Sequence, residues 1–403
     1  MHFKVECPLY EHGMENAAAV TTTRDPTPTS EPDPKRQRLE TPDPESAIRL
    51  DVDGDLRLCV GAARVSQPST YLVCSKSLSR SSSVMKRIIF GGLTEYSSLQ
   101  SDQNHRVIHL PDDQPVLMRL MLEIMHSDFR HVPRKMEPQT LCALVVVMDK
   151  YDVLSLARPW VQDWLASVRG SGDHASLLPI AWALGDMELF STTASRLIET
   201  STIDSEGDLM IKSNTPTSIA LGSETYLTCL WDPLVGATAP LLPTSVIERM
   251  AIKRAAWISA TVRPYIRLYN ELKRGNCECR FASGHGRKTM SPRCQALAIG
   301  SLVKGFLDME INITTANPTC GYRGSLASLV DRIDKLEILT DHNCDTHNHD
   351  ECARIQEALK HKRMASTPIT PLTYVEPDYR THIRSQAKKT GLSSQREEEA
   401  RGI

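Results

Sequence analysis

Two groups of residues in this 403-residue chain have the types and spacing to do chemistry. The first is Ser83-Val84-Met85-Lys86, the Ser-x-x-Lys pattern of acyl-serine enzymes, in which the amine lies one helical turn from the hydroxyl. It sits in a serine-rich stretch from Ser75 to Ser83, where a four-residue pattern arises readily by chance, and the partner word Ser-Asp-Asn is absent. The chain also holds no Gly-Lys-Ser/Thr phosphate loop, no His-Glu-x-x-His helix and no Gly-x-Ser-x-Gly elbow, so the motifs favour a non-enzyme. The second group is Cys277, Cys279, Cys294, Cys320, His342, Cys344, His347, His349 and Cys352, more than the four soft ligands of a tetrahedral structural zinc. No Cys-x2-Cys pair occurs among them. The set we single out is Cys279, Cys294, His342 and Cys344, against the plainer alternative of reduced thiols beside a solvated His-rich loop.

Charge and composition bound the remaining classes. The 47 basic and 49 acidic side chains nearly cancel, which leaves no global field to draw the chain to nucleic acid or a membrane. Locally, Arg249 to Arg293 carries eleven basic residues against Glu271 and Glu278, interleaved with Trp257, Tyr265, Tyr269 and Phe281. That mixture suits phosphate neutralisation with base stacking. It suits equally well the polar side of long helices whose apolar side holds Val246, Ile247, Met250, Ile258 and Ile266. The longest apolar run, Leu141 to Met148, is too short to cross a bilayer, and the polar N-terminus has no secretory apolar core. Eleven scattered cysteines without such a signal read as reduced thiols, and the expected location is the nucleus or the cytoplasm. Residues 1–45 read as a disordered tail whose word Pro34-Lys35-Arg36-Gln37-Arg38 makes Lys35, Arg36 and Arg38 a candidate nuclear import signal, against the plainer alternative of a chance basic patch in a solvated tail. Residues 366–403 read as a second disordered tail, and Ser201 to about Thr217 as a loop.

The elements that must position these residues follow from periodicity. Leu56, Leu58 and Val60 alternate with polar neighbours and predict one face of a strand; Thr70 to Val73 and Val107 to Leu110 predict two more. Pro111 to Pro115 gives a helix start with an acidic cap, after which Leu117, Leu120, Met121 and Ile124 form an apolar stripe opposite Arg119 and Glu123. Leu141 to Met148 is apolar all round and fits either a central strand or a buried helix, the three valines favouring the strand locally.

The order of these words resembles the BTB/POZ domain over residues 46–168. The words are Asp55 before the first strand, Tyr71 to Met85 with Leu78 and Ser82, an I-x-L-x-D-x-x-P step from Ile108 to Pro115, and D-K-Y-x-V-x-x-L from Asp149 to Leu156. Cys74 stands where many such domains carry a His, and Met85 where a Phe is usual. Both departures, and the Ile180-Ala181-Trp182 to Phe190 word that follows, are similar to filamentous-fungal BTB proteins, as are the helix word from Cys294 to Gly305 and the His342-x-Cys344 word. The resemblance implies an α+β fold, a small mixed sheet flanked by short helices, with a mainly α-helical region over residues 169–365. It places Ser75 to Ser83 in a helical hairpin capping the sheet, with Leu78, Val84, Met85, Ile88 and Ile89 turned inward. It implies a non-enzymatic module for self-association or docking of a protein partner. Some members recruit cullin-3 ubiquitin ligases through the helix equivalent to Val116 to His126, where Met121-Leu122-Glu123 would supply the docking word. A transcription-linked regulator touching nucleic acid through residues 249–293 is the other reading.

Overall fold

Alternation of apolar residues builds the sheet. The computed structural model describes residues 47–63, 68–91, 106–204, 209–212, 226–227, 241–275, 278–280, 287–340, 359–360 and 377–392. Strands β1 (Ile48–Arg49), β2 (Leu56–Val60), β3 (Ser69–Val73) and β4 (Arg106–Leu110) lie in the order β1-β3-β2-β4. β2 runs antiparallel to β3, with Leu56 opposite Val73, and parallel to β4, with Leu58 opposite Ile108; β1 runs parallel to β3. Leu56, Leu58 and Val60 are buried as their period of two requires.

Two short helices, α1 (Ser75–Ser81) and α2 (Ser83–Phe90), follow β3 directly. Asp55, at the entrance of β2, accepts hydrogen bonds from the Ser75 amide at 2.7 Å and the Ser75 hydroxyl at 2.6 Å, which satisfies the free start of α1. Burial acts to raise the pKa of Asp55, but these two bonds outweigh it and hold the carboxylate below its ordinary range. Ser82 is the N-cap of α2: its hydroxyl accepts from the Met85 amide at 2.9 Å and donates to the Tyr151 carbonyl. His126 binds the other side of the junction, accepting at Nε2 from the Cys74 amide at 3.0 Å. Its Nδ1 lies 2.8 Å from the Leu122 carbonyl, so the bonding assigns the Nδ1–H tautomer. Leu78, Met85, Ile88 and Ile89 point inward, with Val84 half-buried.

Helices α3 (Pro115–Met125), α4 (Pro138–Lys150) and α5 (Val161–Val168), with a 3-10 turn at Leu154–Ala157, complete the first half. The all-apolar word resolves as helix. Leu141, Leu144, Val145 and Met148 are each fully buried inside α4, so packing on several sides overrides the few tenths of a kcal/mol by which valine disfavours a helix. The expected acidic cap before Pro115 is absent: α3 starts at Gln114 with no side-chain cap. Asp113 instead turns inward at 4% exposure and accepts from Lys150 Nζ at 2.7 Å and Tyr151 Oη at 2.6 Å. Tyr71 of β3 donates to the Pro115 carbonyl at 2.8 Å. These bonds tie β3, α2, α3 and the end of α4 together.

The second half contains α6 (His174–Leu184), α7 (Met187–Thr200) and α8 (Thr244–Lys273), then α9 (Pro292–Asp308), α10 (Leu326–Asp334) and α11 (Pro377–Thr390). β5 (Thr202–Ile203), β6 (Leu209–Lys212) and β7 (Tyr226–Leu227) form an antiparallel three-stranded sheet, and β8 (Glu278–Arg280) pairs with β9 (Arg287–Thr289). Two expectations are corrected. The segment from Ser201 to Thr217 supplies strands β5 and β6 rather than only a loop. Within the 366–403 tail, Pro377–Thr390 is a helix, ordered by burial of Tyr379, Ile383, Gln386, Ala387 and Thr390. The chain is α+β, and one buried apolar cluster runs from Leu56 to Ile383 without a break at residue 168. No helix among the described residues is long and apolar enough to cross a membrane.

Replacing Asp113 by Ala strands the Tyr151 hydroxyl and a half-buried ammonium, a loss of about 2–3 kcal/mol. Urea unfolding of Asp113→Ala should show that loss, while Asp112→Ala, at an exposed neighbour in the same word, should stay within about 0.5 kcal/mol of wild type.

Candidate interaction surface

The Ser-x-x-Lys word does not form a catalytic pair. Ser83 and Lys86 are both exposed, and the Ser83 hydroxyl donates to Asp152 Oδ2 at 2.9 Å. An activated serine needs a neighbouring base shielded from water, and here the hydroxyl faces a solvated carboxylate. The buried serine of this stretch is Ser82, which spends its hydroxyl on a helix cap. A Lys-Thr-Gly word, the other companion of such enzymes, does occur at Lys389-Thr390-Gly391, but it ends α11. The Thr390 hydroxyl donates to the Leu184 carbonyl at 2.7 Å and the Lys389 carbonyl accepts from Arg158 Nε at 2.8 Å.

The docking word Met121-Leu122-Glu123 is overturned as a surface. Met121 and Leu122 have no exposure and Glu123 has 2%, so no partner reaches them in this fold. Glu123 is instead held by Arg119 at 2.9 Å and lies 3.6 Å from His131 Nδ1. What α3 and the following loop do present is Val116, 73% exposed, and Phe129, 51% exposed. The Phe129 ring stands edge-on to Trp160 at 5.2 Å, which keeps a large apolar group fixed at the surface. β1 and β4 are the edges of the four-stranded sheet among the described residues.

The basic region also reads differently in three dimensions. Trp257 and Tyr265 face the core, Tyr265 packing on Phe306 at 5.2 Å, and so cannot stack on bases. Arg254 is buried and donates to the Ser201 carbonyl at 3.1 Å and to the carbonyls of Arg323 and Gly324, a structural tie from α8 to two loops. Phe281 lies outside the described residues.

Of the zinc set, only Cys294 has a described side chain; it is in no disulfide and lies fully buried in the apolar cluster at the start of α9. Cys279 lies on β8 with its side chain undescribed, and His342 and Cys344 lie outside the described residues. Among the described residues no three of His, Cys, Asp or Glu gather as a ligand group. Cys320 is disulfide-bonded, which corrects the expectation of reduced thiols throughout; Cys59, Cys74, Cys142 and Cys294 are in no disulfide. The import residues Lys35, Arg36 and Arg38 also lie outside the described residues.

The Ile180-to-Phe190 word proves to be a seat for α11, and sequence reasoning had attached no such role to either. Gly185 ends α6 at φ +89°, where a Cβ would lie 2.1 Å from the Ala387 nitrogen, so only glycine allows this approach. Asp186 caps α7 by accepting from the Leu189 amide at 3.0 Å and pairs with Arg169. Trp182 stacks on His382 with centroids 4.1 Å apart and meets Tyr379 edge-on at 5.6 Å. Phe190 lies behind both, fully buried. The signal that could have found the pairing is the Tyr379, Ile383, Gln386/Ala387, Thr390 spacing, an i, i+4 stripe in an otherwise polar segment. Neither a protein-family model nor a curated protein sequence matches this chain.

Burial, aided by Lys389, pushes the His382 imidazole below its ordinary pKa. Seated, the ring is neutral; unseated, it takes up a proton near pH 6.5. The seated state therefore binds fewer protons, and attachment of α11 weakens as pH falls below about 6.5. Asp149, which faces Lys389, is shifted the other way, up, by partial desolvation and by the neighbouring Asp152. Hydrogen exchange of the α11 amides, corrected for intrinsic rates, should show less protection at pH 5.5 than at 7.5. The difference should vanish in His382→Phe, which keeps the ring stack.

Proposed function

We propose that residues 46–168 form a BTB/POZ-type unit and that the chain works as a non-enzymatic protein-interaction module through the outside of that unit. The resemblance in word order is supported by where the words fall. Asp55 caps the helix after β3, Ser82 caps α2 onto Tyr151, and the D-K-Y word closes on Asp113. Asp55, Ser82, Asp113 and Tyr151 are thereby committed to joining elements. The observation that carries the functional reading is the contrast on α3 and its loop: the charged residue Glu123 is buried while the apolar residues Val116 and Phe129 are exposed. Large apolar groups held rigidly at a surface are what protein contacts use. The location that fits such a module is the nucleus or the cytoplasm, and its partner is a second copy or another protein. Recruitment of cullin-3 would have to use this exposed pair rather than Met121-Leu122-Glu123.

Light scattering across a dilution series tests self-association: a mass that rises above the 44.9 kDa of one chain and returns to it on dilution is expected for a weak dimer. The double variant Val116→Asp, Phe129→Asp should remove that rise while unfolding at the wild-type urea midpoint. In the partner-docking case, a protein captured from source cells by wild type should be lost with the same variant. Constant monomer mass together with unchanged capture by the variant would contradict the surface assignment.

A further inference from the structure

The contact made by α11 differs from the rest of the core. α11 lies across α6, α7 and the Leu154–Ala157 turn. The floor is flat where Gly185 lets the Ala387 backbone down onto it, and it carries one aromatic platform, Trp182, under His382. At one end the Tyr379 hydroxyl donates to the Ser245 carbonyl of α8 at 3.1 Å, and the Arg249 guanidinium lies 5.8 Å from the Tyr379 ring. At the other end Arg158 donates to the Lys388 and Lys389 carbonyls, filling the place of the missing next turn. The last turn of α11 is basic, and Asp149, with Asp152 beside it, faces Lys389. Every one of these features recognises a helix: a glycine for close approach, a ring for stacking, a cation for the terminal carbonyls and carboxylates for a basic last turn.

The fit of α11 itself is incomplete. His382 Nε2 and Gln386 Oε1 are buried with no hydrogen-bond partner, and the Gln386 side chain is 7% exposed. Cores of native proteins rarely leave two such atoms unpaired along one helix face. An interface that strands polar atoms holds its ligand more weakly than its area would permit. α11 also brings a mostly polar surface, with Arg380, Arg384, Lys388 and Lys389 exposed. Residues 361–376 separate it from Lys360, so detachment breaks no regular element of the described chain.

We propose that this groove is a helix-binding site, that α11 is its tethered resident ligand, and that the site exchanges α11 for a basic amphipathic helix of a partner protein. Such a helix carries a small residue opposite Gly185, a planar ring over Trp182 and Lys or Arg in the last turn. This inference does not rest on the BTB/POZ reading, because it uses the surface beneath α11 and neither the sheet edges nor Val116 and Phe129.

The test uses the full-length chain and, as probe, a fluorescein-labelled peptide of residues 374–392. In wild type the tethered helix competes at an effective concentration on the order of millimolar, so added peptide binds weakly. Ala387→Glu drives a carboxylate into the Gly185 contact and should free the groove, tightening peptide binding at least tenfold. Peptide carrying the same Ala387→Glu change should not bind. Equal or absent binding in wild type and variant would overturn the proposal. Loss of cooperative urea unfolding in Ala387→Glu would overturn it too, since α11 would then be part of the core and not a ligand.

Discussion

A single buried carboxylate holds the first half of this protein together. Asp113 leaves the turn before α3 and receives the ammonium of Lys150 and the hydroxyl of Tyr151 from the end of α4. Because Tyr151 also offers its carbonyl to Ser82, the position of α2 on the sheet depends on the same residue. Tyr71 adds the bond from β3 to the first residue of α3. An unpaired carboxylate at this depth would be very costly, so Asp113 needs both Lys150 and Tyr151 in place. The apolar residues around it supply most of the burial, but they are interchangeable in shape; the polar contacts specify which ends meet.

This constraint accounts for the hydrogen bonds of several polar residues in the first half. Ser83 and Lys86 suggest a catalytic pair when read along the chain; in the fold both are exposed and the Ser83 hydroxyl donates to Asp152. Among the groups left outside are two apolar ones, Val116 and Phe129 beside α3. The second half repeats the logic with a different device. Gly185 and Trp182 accept a helix from 200 residues further along the chain, and Thr390 and Arg158 fasten its end.

How much of this was legible in the sequence depended on whether one period dominated. Strand β2 showed its alternation, β3 and β4 their β-branched and apolar words, and all three lie within a residue of the expected bounds. Of the stripe Leu117, Leu120, Met121 and Ile124, three are buried and Leu120 is half-buried, and it is this helical spacing, not the docking word, that places Met121. Glu123 was not legible as buried, since a wheel puts it outward and only the loop carrying His131 and Arg119's own side chain bring partners to it. Asp113 and Asp112 are indistinguishable in composition, and the choice between them is made by the direction of a turn. α11 was hidden because its apolar stripe is thin and its contacts are aromatic and backbone ones made far away in sequence. The two-residue strand β1 and the small sheet of β5, β6 and β7 carry too few residues for any period to show.

Native-state hydrogen exchange at low denaturant concentrations tests the central claim most directly, because it reads whether elements open together. If the Asp113 contacts bind β3, α2, α3 and α4 into one unit, their slowest amides share one opening free energy and one denaturant dependence. A distinctly lower value for α2, with β3 and α4 unchanged, would contradict the account.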